Sequence, residues 1–429
     1  MTAGDDLSGA TPTPRQLLAL SVPALLVGAL TAVVLWLLDV VSESLGDLIW
    51  KAVPGSLGFD PDASWWILLV LTSTGVAVGL VTWLVPGHAG PDSATTDLLE
   101  PPLRPWVVPG LALAAVIGLA GGVSLGPENP IIAINATLVA FLFARLLPKV
   151  PVQLAVWLAA AGTIGALFGT PVAAALVFTS AMAGTPVRGH LWDRLFLPLA
   201  AAGAGSITMH LLGAPSFGFE VPAYPGPAAL DLLTGSLIAV GTTVVGLAAL
   251  AVFPWVHRAF HALRHPLLIP VAGGLVLGLL GVLGGPLTLF KGLEETGELL
   301  ENSDEYAAGQ LVVLALVKLV ALVVAASSGF RGGRIFPAVF VGAALGLLGH
   351  ALIPAAPLAL AVACGVLGMV LVVGRDGWVA LFVAVAVAGD VTLLAVLCVI
   401  ILPAWLLVSR APEFRIVEPE PFPSAAPGR

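Results

Sequence analysis

The residues able to do chemistry in this chain are few, and they stand at breaks in apolar sequence. Glu128 is the sharpest case, set in Ser124-Leu-Gly-Pro-Glu-Asn-Pro130 between long apolar runs. An ionisable group flanked in this way is costly at membrane depth and is read by default as functional. Pro127 and Pro130 suit the first turn of a helix, where a missing N–H costs nothing, so the spacing predicts a helix running on through Ile131–Leu147. Free backbone N–H groups and the positive end of the helix dipole gather at such a start, an arrangement that binds anions. A carboxylate is itself an anion, so Glu128 can hold the site until a mobile anion displaces it. A glutamate capping a helix at the membrane surface is the plainer alternative.

The second element is Ser328-Gly-Phe-Arg-Gly-Gly-Arg-Ile-Phe-Pro337. Gly332 and Gly333 open torsions closed to other residues and could turn successive N–H groups into one anion nest. Arg331 and Arg334 add positive charge, and a helix is expected to start near Pro337. A Gly-rich surface loop is the alternative. The third element, Pro86-Gly-His-Ala-Gly-Pro91, is another Gly/Pro turn. His88 could donate to an anion there or add charge when protonated; a solvent-exposed histidine without a role fits as well. Lys318 sits inside the apolar run Leu311–Ala326, where it would raise the anion potential of a pathway or serve as a structural cation. Arg375-Asp376 reads as a local ion pair in a short loop.

The elements that must carry these residues are apolar helices. The chain has 429 residues, 59% hydrophobic and 10% charged, against roughly 25% charged in soluble domains, so the bilayer is the solvent the composition implies. Apolar segments are expected at about 15–40, 64–85, 107–124, 128–147, 152–167, 171–183, 194–212, 229–253, 266–285, 308–327, 335–352, 356–373, 377–389 and 391–409. Those at 152–167, 171–183 and 377–389 are too short for a core about 30 Å thick. With 49 glycines and 35 prolines among them, broken and half-length helices are expected, which membranes tolerate only where protein or a water-filled cavity covers the loose backbone. Gly126-Pro-Glu-Asn-Pro130 parallels Gly333-Arg-Ile-Phe-Pro337, and Gly162-Thr-Ile-Gly165 parallels Gly365-Val-Leu-Gly368, an internal repeat that puts a binding site at the interface of two halves.

The net charge of −8 is assigned mostly to loops such as Leu293–Glu305 and to the C-terminal end. Basic residues at Arg15, at His257-Arg258-His261-Arg264-His265 and at Arg410 and Arg415 would mark the cytoplasmic side if they share one. No cleavable signal is read after the polar residues 1–14. Cys364 and Cys398 suggest no disulfide, and neither His nor Cys is read as recurring at metal-ligand spacing.

The three Gly/Pro elements together resemble the CLC family of chloride channels and proton-coupled chloride exchangers. That family carries G-S-G-I-P, G-[RK]-E-G-P and G-G-x-F-x-P in this order; the matching stretches are Gly87–Pro91, Gly126–Pro130 and Gly332–Pro337, and Phe168-Gly-Thr-Pro171 looks like its F-N-A-P turn. The wording is closest to a bacterial branch of ion-transport proteins. The resemblance implies an all-α membrane protein of CLC type, with two inverted repeats of tilted, broken and re-entrant helices. The membrane domain would span residues 15–410, with halves at about 15–213 and 228–410, and a Pro-rich tail at 411–429 without a regulatory domain. It also implies a homodimer with one pore per subunit in the cell membrane, termini in the cytoplasm, carrying chloride or a similar small anion, with no cofactor and no nucleic acid. Glu128 would be the gate, beside Gly126. The N–H groups of Arg334 and Ile335, after Gly333, would coordinate the anion. His88, beside Gly90, would stand for an anion-coordinating serine, and Phe414 for a pore tyrosine. Lys318 falls where the family often has a basic residue.

The departures are specific. Pro127 and Asn129 replace the motif's basic residue and glycine. Ala181 stands where exchangers carry an inner proton-transfer glutamate, and the only tyrosines are Tyr224 and Tyr306. They lean the expectation towards an uncoupled route and leave open an exchanger, or a secondary transporter for another small anion. A membrane-embedded enzyme would need paired acids, a Ser/His set or metal ligands, and only isolated groups are read.

Overall fold

A computed structural model describes residues 14–182, 190–213, 218–219 and 221–416. The expectations for residues 1–13 and for the tail beyond residue 416 fall outside the described residues. Each of the fourteen apolar runs is a helix. The first half of the chain holds α1 (Pro14–Asp47), α2 (Val53–Leu57), α3 (Ser64–Leu84), α4 (Val108–Ala120), α5 (Glu128–Leu146), α6 (Val152–Phe168), α7 (Pro171–Met182) and α8 (Leu191–Leu211). The second holds α9 (Ala229–His261), α10 (Leu268–Gly284), α11 (Leu293–Glu301), α12 (Ala308–Ser327), α13 (Ile335–Leu352), α14 (Leu358–Gly374), α15 (Gly377–Ala388) and α16 (Leu393–Val408). Among the described residues, six helices are long and apolar enough to cross a membrane. Helices α7 and α15, 12 residues each, reach only about 18 Å at about 1.5 Å per residue.

The packing repeats. Helix α1 lies on α6 and α8 as α9 lies on α14 and α16, and α5 pairs with α6 as α13 pairs with α14. The pairs α3–α10 and α7–α15 join equivalent helices to each other, which is what a two-fold relation between the halves requires. The same relation appears in the backbone: Gly126 and Gly333 form an isolated antiparallel bridge, with N–H···O distances of 2.9 and 2.7 Å. Small residues let the helices approach closely. A Cβ on Gly165 would lie 2.2 Å from the Ala202 carbonyl oxygen, and one on Gly365 would lie 2.2 Å from that of Gly342. The most completely buried helix is α14, which sits inside the second half.

Two expectations give way here. Leu293–Glu301 is not loop but helix α11, whose Leu299, Leu300 and Thr296 are buried while Glu294, Glu298 and Glu301 are exposed. Arg375 and Asp376 do not pair. The Arg375 guanidinium donates to the Ser409 and Ala411 carbonyls at the end of α16. Asp376 instead caps α15, accepting from Trp378 and Val379 N–H at 2.8 and 3.0 Å. Each group satisfies orphan backbone at a helix end, which a salt bridge between neighbours would leave unmet.

Candidate functional site

Glu128 opens α5, as Pro127 and Pro130 predict, and its residue is only 1% exposed. Its side chain leaves its own half of the molecule. The N–H groups of Ile335 and Phe336, at the start of α13, face the carboxyl, and that of Phe336 donates to Oε1 at 2.9 Å. The carboxylate thus caps a helix of the other half. Oε2 has no hydrogen-bond partner and lies in a slot between Gly126 and Gly333, where added Cβ atoms would stand 2.1 and 2.0 Å from it.

The glycines work differently from the nest expected of them. Neither Gly332 nor Gly333 has a positive φ; in this loop Gly329 does, at +77°. What Gly332 and Gly333 provide is room. A Cβ on Gly332 would lie 2.4 Å from the Leu125 side chain, and one on Gly333 would occupy the space of the Glu128 carboxyl.

Cavities flank this constriction. One, of about 510 Å³, is lined by Arg334, Ile335, Phe414, Asn129, Asp97 and Glu413, with Ala181 in its wall. Another, of about 170 Å³, is lined by Phe336 and Pro127 with Asp39, Glu43 and Lys291. The neighbours of Glu128 divide between them, Pro127 on the smaller and Asn129 on the larger. Arg334 is the cation whose charge reaches it. The Arg334 guanidinium is held by the carbonyls of Thr96, at 2.9 Å, and of Phe414. Phe414, 3% exposed, stacks on Phe253 with ring centroids 4.5 Å apart.

His88 is not brought to the carboxylate. It lies exposed, φ +51°, in a run of four left-handed residues, Gly87 to Gly90, and its Nδ1 bonds the Thr82 carbonyl at 2.8 Å. Arg331 holds that turn by donating to the carbonyls of His88, Ala89 and Gly90 and to that of Gly329, at 2.8–3.2 Å. Its guanidinium is therefore committed to a backbone clamp. The hydroxyl that reaches the α13 loop belongs to Ser93, which donates to the Phe330 carbonyl at 2.7 Å and accepts from Gly332 N–H at 2.9 Å. Thr96 accepts from the Asn129 side chain at 3.1 Å. The signal for both lay in the hydroxyl-rich Asp92-Ser-Ala-Thr-Thr96 that follows Pro91. Asp92 lies beside His257 and His261 of α9, and its Oδ1 accepts from Ala94 N–H at 3.2 Å.

Lys318, fully buried, does not line the cavities beside Glu128. Its Nζ donates to the carbonyls of Thr288, Leu289 and Phe290 at 3.2, 2.5 and 2.9 Å and sits 5.3 Å from the Phe340 ring centroid. Burial pushes the nearby Glu295 carboxyl up, while the Lys318 charge pulls the other way.

The sequence model described as "Voltage gated chloride channel" matches residues 74–409. The chain is 47% identical over 412 residues to the "Putative ion-transport protein YfeO" of Escherichia coli (strain 55989 / EAEC), covering 96% of this chain and 98% of that one. It is 48% identical over 410 residues to the protein of the same name from Salmonella paratyphi A, covering 96% and 99%. Among solved structures, a slow cyanobacterial Cl⁻/H⁺ antiporter superposes with a TM-score of 0.77 at 17% identity, over 93% of this chain and 95% of that one. A CLC-type fluoride/proton antiporter does so with a TM-score of 0.71 at 19% identity, over 94% and 98%. These two likenesses concern the fold.

Proposed function

Since the chain belongs to the voltage gated chloride channel family, we propose that it carries small inorganic anions, chloride foremost, across the cell membrane through a pore in each subunit of a homodimer, gated by Glu128. One observation carries the reading: the Glu128 carboxylate accepts the Phe336 N–H at the start of α13, between two cavities. Backbone N–H groups at that helix start replace part of an anion's hydration, and the carboxylate competes for them. An anion passes when Glu128 withdraws from the slot between Gly126 and Gly333. Arg334 and Ile335 form the anion's approach from the larger cavity, whose wall Phe414 completes. Lys318 and Arg331 act on this route through the loops they hold. His88 and Gly90 act through the turn that Arg331 clamps, and Ser93 is the hydroxyl of that segment nearest the α13 loop. The end of α9 and the described C-terminal residues lie together, Phe253 on Phe414 and Ile416 N–H on the Ala94 carbonyl at 2.7 Å. Their basic residues support the reading that this face, and both termini with it, is cytoplasmic.

The test is chloride flux in proteoliposomes. Protonation removes the competing charge, so wild-type flux should rise as pH falls. Glu128→Gln should bind chloride about tenfold more tightly, a 1.4 kcal/mol change, and lose that pH dependence. Unchanged flux and pH profile would take Glu128 off the pathway.

Proton-coupled exchange is the second reading. It is favoured by the antiporter neighbours and by Asp97 and Glu413 in the larger cavity that Ala181 also lines. Proton uptake driven by a chloride gradient separates it from passive conduction.

A further inference from the structure

Asp92, His257 and His261 converge at the end of α9. Their three candidate ligand atoms lie within 4.8 Å of one another. Asp92 Oδ2 is 3.5 Å from His257 Nε2 and 3.2 Å from His261 Nε2. The two imidazoles, one helical turn apart on α9, stack with centroids 3.8 Å apart. Four-residue spacing puts two side chains on one helix face, so His257 and His261 do recur at metal-ligand spacing, against the expectation from the sequence that no histidine does.

The hydrogen bonds around this group define what lies between its members. His261 Nδ1 is 3.0 Å from the His257 carbonyl oxygen, which can only accept, so Nδ1 carries a proton. A neutral His261 then turns the lone pair of Nε2 on the Asp92 carboxylate, and two acceptors face each other. His257 Nε2, buried, makes no hydrogen bond of normal geometry. The other Asp92 oxygen accepts from Ala94 N–H at 3.2 Å, which fixes the carboxylate. Arg331 cannot supply the positive centre, because its guanidinium is committed to four carbonyls. A proton on His261 would satisfy one of these contacts. A cation among the three would satisfy all of them.

We propose that Asp92, His257 and His261 form a binding site for a divalent transition-metal ion of the zinc class, with three protein ligands and an open fourth position. A tetrahedral ion with nitrogen and oxygen ligands at about 2.0–2.1 Å sets its ligand atoms about 3.3 Å apart; the two spacings from Asp92, 3.2 and 3.5 Å, match this, and the two imidazole nitrogens lie within 4.8 Å of each other. Two imidazoles exclude magnesium and calcium, which take oxygen. The orienting bond to His261 Nδ1 is the outer contact that metal-bound histidines make. The site joins α9 to the segment carrying Ser93 and Thr96, which hold Gly332, Asn129 and Arg334 beside the anion route. An ion here therefore fastens one wall of the larger cavity, and its removal loosens that wall.

The full-length protein, purified in detergent without a histidine tag and stripped with a chelator, is titrated with Zn²⁺ and separately with Co²⁺. One Zn²⁺ per chain and the intense visible bands of four-coordinate Co²⁺ are expected. His257→Ala/His261→Ala, checked for its elution volume and helical circular dichroism, should bind Zn²⁺ at least tenfold more weakly and lose the bands. Should that variant misfold, X-ray absorption of the wild-type zinc complex decides, with two imidazoles and one carboxylate in its first shell expected. No stoichiometric Zn²⁺, equal affinity in a folded variant, or a first shell without two imidazoles overturns the site.

Discussion

Lys318→Met is expected to cost about 3–5 kcal/mol of stability, the usual penalty for removing one partner from a buried charged network. Three carbonyls, of Thr288, Leu289 and Phe290, would lose their shared donor inside the protein, at about 1–3 kcal/mol for each group left unmet. Glu295 would lose the cation that offsets its burial. The damage should spread to the anion route, because the same loop is bonded to the strand of chain that leads to Glu128. Phe290 N–H donates to the Gly122 carbonyl at 3.0 Å, and Ser124 donates to that of Thr288 at 3.2 Å. At about 2–4 °C per kcal/mol, the thermal midpoint in detergent should fall by roughly 10 °C. A midpoint within about 2 °C of wild type would show that the lysine is not the support of this loop.

Gly333→Ala should cut chloride flux by at least tenfold, with the protein still folded. Its backbone lies outside the left-handed region, so alanine is not strained there. The added methyl would instead fall 2.0 Å from Glu128 Oε2 and 2.6 Å from Cδ, driving the flexible carboxylate out. It would also take the space in which a mobile anion must sit. Adding Glu128→Ala should therefore not restore flux. Recovery in the double variant would mean that the slot holds the carboxylate but is not itself on the route.

The fold was legible because apolar runs bounded by Gly and Pro are the dominant signal in a membrane chain. The runs beginning near 128, 152 and 335 fall within a residue of their helices, since Pro and the loss of hydrophobicity end a helix locally. Glu128 at a helix start was readable for the same reason. The acidic α11 was not, because nine residues with four acids read as a polar loop between apolar runs, although Leu and Glu both favour helix. Residues whose roles depend on distant partners were also hidden. His88 is turned to the surface by a left-handed run that Arg331 clamps from the other half. Ser93 bonds a loop 237 positions away, and Asp92 meets histidines that lie on α9 in the other half of the chain. Glycine alone does not announce whether it supplies torsion or space; Gly333 supplies space only because Glu128 fills it.

Gating as proposed requires that the Glu128 carboxylate occupy an anion site at the start of α13. Crystals of Glu128→Ala grown in bromide test it most directly. An anomalous bromide peak is expected within hydrogen-bond distance of the Phe336 N–H, in the slot between Gly126 and Gly333. Ordered, folded protein with no bromide in that slot would contradict it.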